Sequence, residues 1–362
     1  MRIGVDAREL AGRPTGVGRY LDGLLRQWAS AEDTRAHEFV LYTAEPLETS
    51  LDGRRFAMRM VTGGGGSWWE QIRMPRRARR DHLDVMFSPA YTTPLFGKVP
   101  SVVAIHDVSF AARPDWFRAR EGLRRRWLSR QAAQHSSAII TISQFTRREI
   151  VERFGISEAK IHVIPPGVTA PRVSSSPERQ PATVLFAGSI FNRRHVPHLI
   201  RAFALVAQRH PQARLEIAGD NRSYPRQDLE QVIRYEGLEG RARWRSWVAE
   251  EELNRLYGRA RAFAFLSEYE GLGLTPLEAL AAGVPPVVLD TPVARESCGA
   301  AALYVELGNL QATAAAIETA LFDERRRAEI LHAAPEVLSR YSWTRAARET
   351  LGLLEHIAKT HH

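Results

Sequence analysis

The chain has 362 residues, of which 44% are hydrophobic, 25% charged and 9% aromatic, and its formal net charge is +9. This profile belongs to a folded globular protein long enough for two domains of similar size, and it excludes disordered and collagen-like classes. One cysteine, Cys298, excludes an internal disulfide; no apolar run reaches the roughly 18 residues of a membrane span, and Met1-Arg2-Ile3-Gly4-Val5-Asp6 lacks the apolar stretch of a signal peptide, so the expected location is cytoplasmic.

In chain order, a strand over 3–6 is followed by Thr15-Gly16-Val17-Gly18-Arg19-Tyr20, a glycine loop leading into an amphipathic helix with Leu21, Leu24, Leu25 and Trp28 on one face. Gly16 and Gly18 by themselves are weak evidence for phosphate binding. The third glycine of a dinucleotide fingerprint is missing, and no acid stands at the expected place after a second strand. Further strands read as 39–42, 58–61, 85–88, 102–105, 139–142 and 161–164, with His106 just past the carboxyl end of the strand over 102–105. A lone histidine there is ordinarily structural. All basic residues except Lys98, Lys160 and Lys359 are arginines, densest over 73–80 and 118–130. Taken alone, each run is a solvated helix face. Charge by itself would favour a nucleic-acid binder, but the arginines are spread along helices rather than gathered beside groove-reading residues, so no nucleic-acid partner is expected.

Pro165 to Pro177 is a proline- and serine-rich run without periodicity that reads as an interdomain linker, whose bounds are drawn at 171–181. It separates a domain over 1–170 from one over 182–341. The second domain carries strands over 184–187, 214–218, 262–266, 286–289 and 303–305, with a short one near 243–245. Apolar runs alternating with longer amphipathic segments make both halves α/β, each with enough βα units for a doubly wound sheet. Ligands collect at the carboxyl ends of such strands, and the two sheets are expected to face a shared cleft.

The most informative stretch is Ser267-Glu268-Tyr269-Glu270-Gly271-Leu272-Gly273-Leu274-Thr275-Pro276-Leu277-Glu278, running on to Gly283. It joins a strand to a helix. Thr275 is a candidate N-cap, Pro276 a first helical residue, Glu278 the reciprocal acid of a capping box and Gly283 a helix stop. That structural role for Glu278 leaves Glu270, Gly271 and Gly273 unexplained. A Gly271-Leu272-Gly273-Leu274 turn lets bare backbone N–H groups approach a ligand, and the helix start adds its positive dipole end, making an anion cradle. A carboxylate on each side repels a bare phosphate but suits hydroxyls flanking one, which points to a nucleotide sugar.

The segment from Glu270 to Gly283 resembles the E-x7-E signature of glycosyltransferase family 4, the retaining GT-B enzymes, with Leu272 where phenylalanine is usual and Thr275 where proline is frequent. The resemblance implies two Rossmann-like domains facing an interdomain cleft. It also implies that Glu270 contacts the transferred sugar, Glu278 the ribose, and the Gly271 to Leu274 amides the diphosphate and sugar. Gly188-Ser189-Ile190-Phe191-Asn192-Arg193-Arg194-His195 offers two cations beside a glycine turn. On the residues alone these are either a bidentate phosphate pair or two more members of an arginine-rich composition. They are similar to the family's G-x-x-x-x-R-K loop for the leaving phosphates, with Arg194 where lysine is usual and Ser189 where arginine is common.

By the same resemblance Asp220 or Asn221 lies near the nucleotide, Val248 by the nucleobase, His106 by the transferred sugar, and Gly16 and Gly18 toward diphosphate and acceptor. The helix over 342–358 packs back on the first domain. The implied activity is retaining transfer of a hexose, mannose first, from a nucleotide-diphosphate sugar to a glycan or lipid-linked acceptor, as in polysaccharide biosynthesis. GDP-mannose is the first expected donor and a UDP-hexose the second. No cofactor and no metal are expected: no Asp-x-Asp and no zinc-spaced cluster is present. Trp68, Trp69, Glu70 and the 73–80 run are expected to face an anionic lipid-linked acceptor or the inner membrane surface. The rival readings are a nucleic-acid binder and a non-catalytic sugar-nucleotide binder.

Overall fold

A computed structural model describes residues 1–12, 16–47, 51–172 and 182–361. Residues 173–181 of the expected linker, and Thr15 of the glycine segment, lie outside them. The chain divides into two compact units: Met1–Gly167 with Tyr341–His362, and Val168–Arg340.

Among the described residues the first unit holds a seven-stranded sheet of β1 (Arg2–Asp6), β2 (Glu38–Thr43), β3 (Phe56–Met60), β4 (Val85–Ser88), β5 (Ser101–Ala104), β6 (Ala138–Thr141) and β7 (Ile161–Val163), in the order β3-β2-β1-β4-β5-β6-β7. The second holds β8 (Thr183–Ala187), β9 (Arg214–Ala218), β10 (Ala242–Arg245), β11 (Ala262–Phe265), β12 (Pro286–Leu289) and β13 (Leu303–Val305), ordered β10-β9-β8-β11-β12-β13. Every pairing is parallel. Parallel strands are covered by helices on both faces, which is why β4, β5, β6, β8, β11 and β12 read as unbroken apolar runs and are buried at every position.

In each sheet the strand order reverses beside the first strand of the unit, between β1 and β4 and between β8 and β11. The connections leave such a point in opposite directions and open a crevice at the carboxyl ends.

The C-terminal helix Trp343–Thr360 belongs to the first unit and supplies Ala346, Ala347, Leu351 and Leu354 to the core built on Ile3, Val5, Leu24, Trp28 and Phe39. The Trp28 indole donates to the Ala347 carbonyl at 2.9 Å. The Trp343 ring lies so close to Gly23 and Gly167 that a Cβ on either would stand 2.5 and 2.2 Å from it.

Two expectations about local structure are corrected. The first helix begins at Gly16, so Gly16 to Gly18 form its opening turn rather than a loop ahead of it. The helix after β11 spans Leu274–Ala281, with Gly273 as its N-cap in the left-handed conformation (φ 85°), so Thr275 is its second residue and the N-cap has no side chain to bond the first amides. A helix that starts two residues early removes the Thr275–Glu278 capping box and with it the structural explanation of Glu278.

Candidate active site

The loops after β8 and β11 meet at the crevice of the second sheet. Gly188 follows β8 with φ 130°, a conformation that favours glycine, and its N–H donates to the Ala218 carbonyl at 2.9 Å. Gly219, after β9, approaches so closely that a Cβ on it would lie 1.9 Å from the Gly188 carbonyl oxygen. Residues Asn192–Arg194 make a single 3-10 turn, His195 takes the left-handed conformation (φ 46°), and the helix Val196–Arg209 begins.

This path carries Arg194 across to the β11 loop, where its Nε donates to Glu270 Oε1 at 2.8 Å, while Nη1 donates to the Ser189 carbonyl at 2.6 Å. The guanidinium stands 4.8 Å from the Phe265 ring centre and 5.6 Å from that of Phe191, a cation–π setting. Arg193 lies 4.5 Å over Phe191, and its buried Nε has no hydrogen-bond partner. Ser267 Oγ donates to the same Glu270 oxygen at 2.9 Å. Burial alone would raise the Glu270 carboxyl. The charges of Arg194 and Arg193 and the hydrogen bonds from Arg194 and Ser267 outweigh it and hold the group below its ordinary value, so it is ionised at neutral pH.

Beside Glu270 the turn Gly271 to Gly273 ends at the uncapped helix, whose first-turn amides and dipole form an anion-favouring end. Gly271 and Leu272 are buried, while Gly273 and Leu274 are half-exposed. Glu278, one turn into the helix and half-exposed, accepts from Tyr257 Oη at 3.4 Å. Sequence reasoning missed one further link between the loops: His195 Nε2 donates to Glu268 Oε2 at 2.8 Å, and the Glu268 N–H donates to the Arg193 carbonyl at 2.9 Å. The only signal was a histidine directly after the arginine pair and a second glutamate two residues before Glu270.

Asp220 and Val248 follow β9 and β10, on the flank of the same sheet edge. The Asp220 carboxylate is exposed and paired with Arg222 at 2.8 Å. Asn221 is buried and committed to its own turn, accepting from the N–H and Oγ of Ser223 and donating to the Gln227 carbonyl, so of the two it is Asp220 whose polar atoms face outward. Val248 is half-buried next to Trp247, which is 61% exposed.

In the first unit His106 is buried past the end of β5. Its Nε2 donates to the Pro89 carbonyl at 2.7 Å, and its ring meets Tyr20 and Tyr91 edge-on at 4.8 and 5.6 Å. Burial pushes the imidazole below its ordinary value against the pull of the Pro89 carbonyl and Asp107, keeping it neutral. Gly16 is exposed and Gly18 buried in the first turn of the opening helix.

At the crevice of this sheet lies an ionic cluster absent from the sequence expectations: Arg8 Nη2 is 2.6 Å from Asp6 and 3.3 Å from Glu70. Burial raises the Glu70 carboxyl, with Arg8 opposing. Trp69 and Glu70 are therefore interior, 0% and 3% exposed, and only Trp68, 67% exposed, faces outward as expected. Of the 73–80 run, Met74 and Ala78 are buried while Arg73, Arg76, Arg77, Arg79 and Arg80 are exposed.

Two family models divide the chain: Glycosyltransferase Family 4 matches residues 14–172, and Glycosyl transferases group 1 matches residues 170–337. The chain belongs to the family 4 glycosyltransferases. This glycosyltransferase is 26% identical to the O-antigen chain mannosyltransferase B of Escherichia coli, over 76% of each chain. It is 27% identical to the GDP-mannose:cellobiosyl-diphosphopolyprenol alpha-mannosyltransferase of Xanthomonas campestris, over 70% of this chain and 67% of the relative. Its fold is similar to that of Anabaena HepE, solved in complex with UDP and glucose, with TM-score 0.76 and 20% identity over 98% of this chain and 99% of that one. Two parallel-sheet Rossmann-like domains of this kind constitute the GT-B architecture. Among the described residues of the glycosyltransferase no helix is long and apolar enough to cross a membrane.

Proposed function

We propose that this enzyme transfers a hexose, mannose in the first instance, from a nucleoside-diphosphate sugar to a hydroxyl of a glycan or lipid-linked acceptor with retention of anomeric configuration. The observation that carries the reading is the Arg194–Glu270 pair at the crevice between β8 and β11, beside a helix end whose N-cap is a glycine with no capping side chain. A diphosphate that gains a further negative charge as the bond to the sugar breaks needs cations and amide donors aimed at its oxygens; a departing sugar needs an ionised acceptor for its hydroxyls.

In this reading Arg193, Arg194, Gly188, Ser189 and the Gly271 to Leu274 amides hold the diphosphate. Glu270 orients the sugar and Glu278 the ribose, Asp220 and Val248 border the nucleoside, and His106 with Gly16 and Gly18 serves the first unit's share of the substrates. Neutral His106 suits a sugar hydroxyl better than a charged one would, since with Nε2 donating to the Pro89 carbonyl its Nδ1 is left as an acceptor. GDP-mannose comes first because the Xanthomonas relative bears that donor in its name and because α-transfer from the α-linked donor is retention. A UDP-hexose comes second. Deprotonation of the acceptor falls to the departing phosphate, and no cofactor or metal ion is invoked. The exposed arginines of the 73–80 run and Trp68 fit an anionic bilayer surface at the cytoplasmic face.

Thermal-shift screening of the full chain against nucleotide sugars, followed by transfer assays on the one that stabilises it, tests the donor. GDP-mannose raising Tm above all UDP-hexoses is the expected result. No shift with any nucleotide sugar, or unchanged turnover in both Arg194→Ala and Glu270→Gln, overturns the assignment. Sedimentation with acidic against neutral liposomes tests the membrane contact, and equal binding to both overturns it.

A further inference from the structure

Resting on the reading of Arg193 and Arg194 as diphosphate ligands, we propose that His195 and Glu268 are a positioning pair, a strut that keeps the diphosphate loop in register with the sugar-contacting loop.

Among the described residues the β8 and β11 loops are joined by hydrogen bonds that include Arg194 to Glu270, the Glu268 N–H to the Arg193 carbonyl, and His195 to Glu268. The first cannot be a permanent brace. Arg194 must lend donors to phosphate oxygens and Glu270 must accept from sugar hydroxyls, so each gives up part of its hold on the other in every turnover. The other two links use atoms with no part in that exchange. Both end on Glu268, which grips the arginine loop through its backbone before Arg194 and through its carboxylate after it.

The far end of the strut is rigid. His195 sits at the junction of the 3-10 turn and the helix Val196–Arg209, whose Val196, Leu199, Ile200 and Phe203 are buried in the second unit. Its left-handed backbone (φ 46°), uncommon for a residue with a side chain, is what aims the imidazole back across the crevice at Glu268. The pair is only partly exposed, at 25% and 19% for the two side chains, so its hydrogen bond is not lost to solvent competition. The geometry therefore separates labour between neighbours: Arg194 and Glu270 meet the substrate, and His195 and Glu268 set where they stand.

Isothermal titration of GDP, UDP, GMP and UMP into the full chain tests this, with His195→Ala, Glu268→Ala, the double variant and Arg194→Ala. Loss of one charged hydrogen bond that orients Arg193 and Arg194 is expected to weaken the diphosphate that binds the parent by about tenfold, while the matching monophosphate changes less than twofold. The double variant is expected to be no worse than either single one, since the two side chains act as a unit. Glu268→Gln keeps an oxygen to accept from His195 and is expected to restore diphosphate affinity to within threefold; it also serves if an alanine variant fails to fold. Unchanged diphosphate affinity in both single variants, additive losses in the double, equal loss of the monophosphate, or no rescue by glutamine overturns the strut. If Arg194→Ala itself leaves diphosphate affinity unchanged, the underlying assignment of the phosphate loop fails, a result separable from failure of the strut alone.

Discussion

Replacing Gly219 by alanine perturbs the donor side by pressing on the backbone of Gly188, which the proposed reading assigns to the diphosphate. The new Cβ would lie 1.9 Å from the Gly188 carbonyl oxygen and 2.7 Å from its carbon, where real contacts of this kind do not fall below 3.0 Å. Both obstacles are backbone, so no side chain can swing aside, and the two peptides must part by about 1 Å. Neither is free to do so alone: Gly188 N–H is bonded to Ala218 and Gly219 N–H to Arg245, each at 2.9 Å. The displacement passes to Ser189, whose carbonyl receives Arg194, and through Arg194 to Glu270. A shift of about 1 Å in groups that orient a reacting bond costs about 100-fold in rate, and the overpacking costs about 1–3 kcal/mol in stability. Initial-rate transfer assays, with calorimetry of the same preparations, measure both. Gly352→Ala is the control, since no atom within 4 Å meets its new Cβ and the site lies in the C-terminal helix; it is expected to be neutral or slightly stabilising. A Gly219→Ala protein whose kcat/KM falls less than threefold would refute the view that the glycine contact sets the phosphate loop.

Glu270 predicts a pH signature. Its carboxyl is held below the ordinary value despite burial, chiefly by Arg194 and Arg193, so its contribution to stability is complete above about pH 4.3 and is lost as pH falls through the lowered value. The Tm difference between the parent and Glu270→Gln should therefore be present at neutral pH and close on strong acidification; a difference that widens with acid contradicts the pairing. Gly23→Ala is expected to destabilise the first unit by about 1–3 kcal/mol by driving a methyl group into Trp343, read from the denaturation midpoint, and an unchanged midpoint means the C-terminal helix does not dock there. Activity is expected to survive exhaustive chelation, and loss of turnover restored by magnesium would refute metal-independent transfer. Arg194→Lys, which keeps the charge but loses the two-pronged hold on Glu270 and Ser189, is expected to retain transfer with a raised donor KM rather than lose it outright; a loss equal to that of Arg194→Ala would show that the guanidinium geometry itself is required.

What could be read from the residues was whatever is local. Most strands stand where runs of three to five residues placed them, because a parallel strand covered on both faces declares itself by its own composition; β3, half-exposed at Ala57 and Arg59, begins two residues before its expected start. The turn at Gly271 to Leu274 and the arginine pair were visible because glycine and paired cations after a strand are unusual within a short window. Tertiary structure decided everything that depends on which strands lie side by side. Arg194 and Glu270 are 76 residues apart and His195 and Glu268 are 73 apart, and each pair meets only because the sheet order puts β8 next to β11. The same holds in the first unit, where Arg8 reaches Glu70 and turns an expected surface helix into the wall of a buried ionic cluster. At the helix after β11 a local rule was overruled: Thr275 and Glu278 have the spacing of a capping box, but the left-handed Gly273 begins the helix two residues sooner, with an N-cap that has no side chain to bond the first amides. Periodicity and turn chemistry act over a few residues. Strand order is settled by burial of the whole sheet, and no short window of the chain contains it.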